Sequence, residues 1–528
     1  MRSKTLVLAS LLVAAFVINL DTTIVNVALP TLVRELHATT TQLQWVVDAY
    51  NLVFAALLLT SGSLSDRLGR KGMLLSGLAV FASASLAGGF TTTPDQLIAA
   101  RAVMGLGAAL VFPATLSIIA NVFTGRRERA TAIGLWGANA GVAIALGPIV
   151  GGWLLEHFSW ASIFYLMAPV AAGGAVMVAL SVPTSKDPHA PRADALGFLL
   201  SSAAMAILVF TIIEAPDYGW AAERTLAGFA AAAALSACFI AWERRVTAPM
   251  LDVRLFRNMR FTAASASVTV AFFTLFGFIF LITQYFQFIR GYAPLSTGVH
   301  LLPVATSVAV GSVVGTRAAV RIGTKLVVTT GLVLVAGFYV WVGAVVTART
   351  GYGTISAQMV TYGLGMGLTA APATESIMGA VSRAKAGIGS AVNDATRLLG
   401  GTLGVAVIGS VYASLYNSRL TASLPARFPR PLSGIAHQSV GAALAVSHQL
   451  AARGLTALGH AVGNAASHAF LHGLSAGCLV AAAAAVAGAV MAAAFLPAQP
   501  SGAESGAPEP EPAPATHTQA PALVREQP

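Results

Sequence analysis

Apolar runs of about 20 to 25 residues, separated by short loops that carry most of the charge, recur along nearly the whole chain. Fourteen such runs are read, starting near residues 5, 42, 72, 95, 131, 160, 195, 225, 261, 295, 325, 353, 387 and 470. In hydrocarbon a run of this length is stable as an α-helix, which satisfies its backbone hydrogen bonds within the segment. The pattern therefore predicts an all-α integral membrane protein with 14 transmembrane helices. Spans 7 and 8 carry the weakest pattern, because stretches such as Ala230 to Ala234 are only mildly apolar.

Composition agrees: of 528 residues, 56% are hydrophobic and 10% charged, with a mean hydropathy of +0.75. The first apolar run follows Arg2 and Lys4, is too long for a signal peptide and lacks a small-residue cleavage site, so it reads as a retained helix. The net charge of +11 would suit nucleic acid, but its placement points to topology instead. With the amino terminus in the cytoplasm, 21 of the 31 Lys plus Arg fall on that side, 8 on the other, and Arg101 and Arg397 inside helices. Both termini are then cytoplasmic, in a cell membrane, and nucleic acid is not a partner. Cys238 and Cys478 both lie in spans, which argues against a disulfide framework or a metal site. Neither a Walker motif nor any cofactor signature is found.

A weak internal repeat is visible. Gly62 to Lys71 contains Arg67, Gly69 and Lys71, and Arg321, Gly323 and Lys325 repeat that spacing 254 residues later, with Val320 where Asp66 would stand. Two six-helix bundles follow, residues 1–182 and 259–496, with 183–258 inserting helices 7 and 8 between them. Two parallel six-helix halves with the site at their interface are a transporter arrangement. Residues 416–469, with four arginines and no acid, read as a long external loop with helical pieces. Residues 497–528, rich in Pro, Ala and Glu, read as a disordered cytoplasmic tail.

Several motifs in order resemble one family. Leu20, Asp21, Thr22, Thr23 and onward to Pro30 resemble a first-span signature, and Gly62, Asp66, Arg67, Gly69, Arg70 and Lys71 a loop motif. Arg101 with Gly105 resembles a span-4 motif, with Met104 where Gln is usual. Gly147, Pro148, Gly151 and Gly152 resemble a span-5 antiporter motif, with Ala143 replacing an upstream Gly. Pro249 to Asp252, Leu255 to Arg257, Gly291 with Tyr292, and Leu302 with Pro303 resemble the connections around span 9. The chain is similar to the 14-span drug:proton antiporters of the major facilitator superfamily over nearly all of residues 15 to 415. The resemblance implies the major facilitator fold, a gating role for the Asp66 loop, and an antiport role for the Gly147 to Gly152 element. The residues alone allow the bland readings too: a loop that only sets topology, and a packing kink.

Charges inside spans are expensive and so mark candidate sites. At 1.5 Å per residue, Asp21 lies ~13 Å below the outer end of its span, and Asp48 and Arg101 ~9 Å below theirs. That common layer suggests a carboxylate pair sharing an arginine that changes partner, or a static ion pair. Nearer the cytoplasm, Asp394 and Arg397 share a helix face. Glu375 is then left as a free acid, for substrate or as a helix cap. Surplus carboxylates favour cations, and Phe272, Phe273, Phe276, Phe278, Phe280 and Tyr285 either offer cation-π faces or are lipid-facing or core. His468 and His472 share a helix face, but without nearby acids or cysteines a solvated hairpin is the better reading than a metal site.

The leading expectation is a proton-coupled multidrug efflux antiporter, acting as a monomer, whose partners are protons, the lipid bilayer and lipophilic, cationic small molecules. The alternatives are export of one endogenous metabolite such as a lipid, siderophore or antibiotic, and a non-transporting membrane receptor or scaffold. An enzyme is not expected, since no nucleophile-base or membrane-embedded metal constellation is found.

Overall fold

The computed structural model describes residues 4–186, 194–247, 249–380, 386–425 and 428–498. Beyond residue 498 the expected tail lies outside the described residues, and the side chain of Asp66 is also outside them. The described elements are helical: α1 (Lys4–Leu36), α2 (Thr40–Leu68), α3 (Arg70–Gly89), α4 (Pro94–Val122), α5 (Arg126–His157), α6 (Ser162–Ser181), α7 (Ala195–Tyr218), α8 (Glu223–Glu243), α9 (Met259–Gln284), α10 (Pro294–His300), α11 (Leu302–Ile322), α12 (Thr324–Val345), α13 (Tyr352–Gly379), α14 (Ala386–Ser423), α15 (Arg430–Gln438), α16 (Val440–Ala452) and α17 (Thr456–Phe495). A π-helical turn, Tyr285–Ile289, extends α9. Among the described residues, 12 helices are long and apolar enough to cross a membrane. α2 and α13, 29 and 28 residues long, are not in that set. They carry polar residues mid-helix, among them Asp48 and Asn51 on α2 and Gln358 on α13.

The packing scheme occurs twice. α1 packs on α5 and α6, α2 on α4, and α3 on α4 and α6. Likewise α9 packs on α14 and α17, α11 on α13, and α12 on α13 and α17. The repeat extends to individual glycines, where a Cβ would meet neighbouring backbone. A Cβ on Gly107 would stand 2.8 Å from the Gly77 carbonyl oxygen, and one on Gly365 2.6 Å from that of Gly331. A Cβ on Gly105 would stand 2.5 Å from the Tyr50 carbonyl oxygen, and one on Gly363 2.6 Å from that of Val304. In both cases the α2 or α3 partner recurs 254 residues later and the α4 partner 258 later. Such contacts let helices pack backbone to backbone where no hydrophobic effect separates helix from lipid. Gly69 joins α2 to α3 at φ 121° and Gly323 joins α11 to α12 at φ 89°, a region only glycine enters cheaply.

The two sets meet along α2 with α14, α5 with α10, and α1 with α9. Side-chain hydrogen bonds bridge them at the end where α1 finishes and α2 begins. Gln44 Nε2 donates to the carbonyls of Val405 and Ala406, both at 3.2 Å, and Gln287 Nε2 to that of Val27 at 2.9 Å. Glu156 accepts the Leu295 N–H at 3.1 Å. α7 packs against both α2 and α14, and α8 on α7. The expected external loop is shorter than 416–469, because α14 runs to Ser423 and α17 starts at Thr456. Nor is it a freely solvated hairpin: α16 buries Val440, Gly441, Ala443 and Val446, and Thr40 Oγ1 donates to the Gln438 carbonyl at 3.1 Å.

Gly107→Leu and Gly365→Leu should each lower the melting temperature in detergent, by overpacking worth about 1–3 kcal/mol or more. Gly134→Leu, at a site with nothing within 4 Å of the new Cβ, should not. Fluorescence-detected thermal unfolding decides between them.

Candidate functional site

Arg101 and Gly105 lie one turn apart on the same face of α4. Gly105 lets α4 approach the α2 backbone, and that closeness brings Arg101 to three partners. Its Nη1 meets Asp21 Oδ2 of α1 at 2.5 Å, and its Nε donates to the Val46 carbonyl at 3.0 Å. The guanidinium stacks on the Tyr50 ring, 4.3 Å from the centroid. Tyr50 in turn donates its hydroxyl to the Ile18 carbonyl at 3.2 Å. Asp21, Tyr50 and Arg101 are all buried. A charge-assisted bond with a cation-π contact compensates much of the cost of holding both ions out of water.

Asp48 lies in the same layer but not in this pair. It stands midway between Val46 and Tyr50, about 200° around the helix from Val46 at 100° per residue. Its own face is marked by Gln44 and Leu52, one turn either side. Gln44 bonds α14, and Leu52 clusters with Ala406 of α14 and with Val209 and Ile213 of α7. Asp48 is fully buried there, and neither carboxylate oxygen has a hydrogen-bond donor among the described residues. A helical offset separates the acids that depth alone had grouped.

On α14, Asp394 and Arg397 approach to 3.8 Å, and Arg397 lies 4.6 Å from the centroid of the Phe272 ring. Asn393 links this group to α13 by accepting the Thr374 hydroxyl at 2.9 Å. Glu375, expected inside the protein, is exposed on α13 and forms no ion pair among the described residues. The helical period puts it on a different face from the buried Thr369 and Ala373. Of the candidate aromatics, Phe272, Phe276, Phe278, Phe280 and Tyr285 are all buried in the core, and Phe278 meets Phe338 edge-on at 5.6 Å and Tyr362 at a tilt at 5.1 Å.

Two described contacts of the loop motif reach the end of α6 and the segment just after it. Lys71 Nζ donates to the Ala179 carbonyl at 2.7 Å, capping the end of α6, and the Arg70 N–H donates to Ser185 at 3.0 Å. Arg67 is exposed, and a Cβ on Gly62 would lie 3.7 Å from Pro113. The glycines of the span-5 motif are contact points. Gly147 and Gly151 lie against Thr23 and Ile24, just after Asp21 on α1. A Cβ on Gly152 would stand 2.6 Å from the Pro294 carbonyl oxygen, and Gly298 approaches the Pro148 carbonyl, so this stretch touches both α1 and α10. Gly400 and Gly404 of α14 lie against Thr269 and Phe273 of α9 in the same way.

A family model described as Major Facilitator Superfamily matches residues 11–405. The chain belongs to the Major Facilitator Superfamily. It is 35% identical over 451 residues to the multidrug efflux pump LfrA of Mycolicibacterium smegmatis, covering 85% of this chain and 89% of that one. It is 36% identical over 396 residues to a methylenomycin A resistance protein of Streptomyces coelicolor, covering 75% and 83%. Its fold matches an inward-facing, occupied crystal structure of a bacterial homolog of the human lysosomal transporter Spinster, with a TM-score of 0.65 at 14% identity, covering 93% and 97% of the two chains. This superfamily member is a multi-pass membrane transporter and not an enzyme.

Sequence reading missed two residues of the site, Tyr50 and Gln44. The signal for Tyr50 was available, since an aromatic on the span facing a buried arginine at equal depth is a stacking partner. Gln44 became legible only with α14 in place.

Arg101→Ala strands Asp21 and should destabilise the protein by about 3–5 kcal/mol. Replacing both partners with apolar residues, Asp21→Leu with Arg101→Met, should recover much of that loss. Thermal unfolding of the two variants beside wild type measures the difference.

Proposed function

We propose that this protein is a proton-coupled exporter of lipophilic, mainly cationic compounds, working by alternating access between its two six-helix sets. The observation that carries this reading is Asp48: a carboxylate fully buried on α2, against the other set, with no donor to either oxygen. A group so placed is stable when neutral, and becomes an anion readily only when water or a cation reaches it. Opening the seam between α2 and α14 admits one or the other. Asp21, held by Arg101 in the same layer, is the second acid. A proton or cation arriving at Asp21 releases Arg101, which couples the α1–α4 contact to occupancy. Competition between proton and cation for these acids couples the two fluxes without ATP. The Asp394–Arg397 pair beside Phe272 supplies a further polar wall on the second set.

In this reading α2 and α13 complete 14 spans, residues 1–182 and 259–496 form the two halves, and 183–258 carries the inserted pair. The end closed by Gln44, Gln287 and Glu156 is the outer one, and both termini are cytoplasmic, as the placement of basic residues favours. The chain works as a monomer. The efflux name of the relative from Mycolicibacterium supports export as the direction. A second reading, export of one antibiotic or other specific metabolite, is favoured by relatives named for methylenomycin A and for tetracenomycin C resistance and export.

In proteoliposomes with an imposed pH gradient, wild type should move protons when a quaternary-ammonium dye is supplied, and Asp21→Asn and Asp48→Asn should each abolish that flux while still reaching the membrane. Normal coupled flux in both variants would sink the mechanism. A response to one neutral antibiotic and to no dye would favour the second reading.

A further inference from the structure

Glu243, the last residue of α8, is only 3% exposed. Its Oε2 accepts the Leu251 N–H at 3.2 Å, while Oε1 has no donor among the described residues. Asp194 comes from the other end of the inserted pair, where it caps α7. It accepts the Gly197 N–H at 2.9 Å and the Trp242 indole N–H at 2.9 and 3.0 Å. The two carboxyl groups converge on Gly197. A Cβ there would stand 2.6 Å from Glu243 Oε1 and would also meet Asp194 Oδ2. Among the described residues, the charged groups acting on Glu243 are themselves acids, Asp194 at the cap of α7 and Asp252 in the linker. Glu243 is buried and Asp194 partly so, and two carboxylates brought this close do not readily both stay ionised. One proton between them removes the repulsion and supplies the donor that Oε1 lacks, in a short charge-assisted bond.

We propose that Asp194 and Glu243 share one proton, and that this proton clips together the two ends of the α7–α8 pair. The position gives the clip its reach. The chain enters the pair at Asp194 and leaves it through Leu251, whose N–H Glu243 holds. The neighbouring Met250 takes the Thr60 hydroxyl of α2 at 3.0 Å through its sulfur. The clip thus fixes the linker between the two helix sets against α2. It is strongest while the proton is bound; once the proton leaves, the two anions repel and only the Leu251 N–H, which a carboxylate accepts well, still holds the linker. This site is separate from the Asp21 and Asp48 layer and does not depend on the transport reading.

Infrared difference spectra of the purified full-length protein near neutral pH test the proton. Subtracting the Glu243→Gln spectrum from wild type should reveal the carbonyl band of a protonated carboxyl, and subtracting Asp194→Asn should reveal the same band, because one proton belongs to both. Only ionised-carboxylate bands in these differences would overturn the proposal. Trypsin tests the clip, since Arg244, Arg245 and Arg254 lie in the linker. Glu243→Gln keeps a donor at every pH and should be cut as slowly as wild type, whereas Glu243→Ala should be cut several-fold faster. Equal rates for all three would overturn the clip, and Asp194→Asn serves in place of Glu243→Gln if that variant does not fold.

Discussion

Hydrocarbon offers no hydrogen-bond partner to a peptide group and no solvation to a charge, and the whole structure follows from that deficit. Backbone needs are met inside helices, which is why the chain is a stack of them. Charges within the spans must find partners among neighbouring helices or stay neutral. Arg101 does the first thoroughly, with Asp21, the Val46 carbonyl and the Tyr50 ring. Asp48, whose oxygens meet no donor among the described residues, is the exception that gives the protein its candidate chemistry.

The same deficit shapes the packing. Lipid is as apolar as leucine, so helices gain little by hiding apolar side chains from it, and close backbone contact takes over. Within each set, Gly77 with Gly107, Gly331 with Gly365, and Gly105 and Gly363 with the facing carbonyls supply that contact. Between the sets, much of the bonding is by side-chain amides and single hydroxyls, such as Gln44, Gln287 and Thr40. Backbone contact resists rearrangement because many atoms would have to move together. A few amide bonds exchange readily for water. The glycine motif of α5 sits at the junction of both kinds of contact, since Gly152 and Gly298 also bring α5 and α10 of the two sets backbone to backbone.

Much of this was legible beforehand. Most helix starts were read closely because hydrophobic runs end where loops become charged, as with 195, 95 and 387 against Ala195, Pro94 and Ala386, but the last span, read near 470, starts at Thr456. That Asp21, Asp48 and Arg101 share a level was legible because rise per residue is constant. Their partners were not: a two-residue step on α2 turns Asp48 toward α14, and no count of residues from a loop reveals which neighbour lies on that side. Glu375 shows the same limit: its span was recognised, but that its side chain is exposed on α13 could not be read from the sequence. The external segment misled because alanine, glycine and histidine read as solvated, whereas α16 packs its small residues closely, Gly441 against Phe288 and Val33.

The sequence by itself determined that this is a helical membrane protein with an internal repeat, where most of its helices begin, and which charges are costly enough to matter. These are one-dimensional properties, set by run length, rise per residue and the price of a charge in hydrocarbon. Only the tertiary structure decided that Arg101 belongs to Asp21, that Asp48 stands alone against α14, that the repeat reaches individual glycines, and that Asp194 and Glu243, nearly fifty residues apart, meet over Gly197. Each of these depends on the rotation of one helix about its axis and on which helix lies beside it, and local sequence does not encode either.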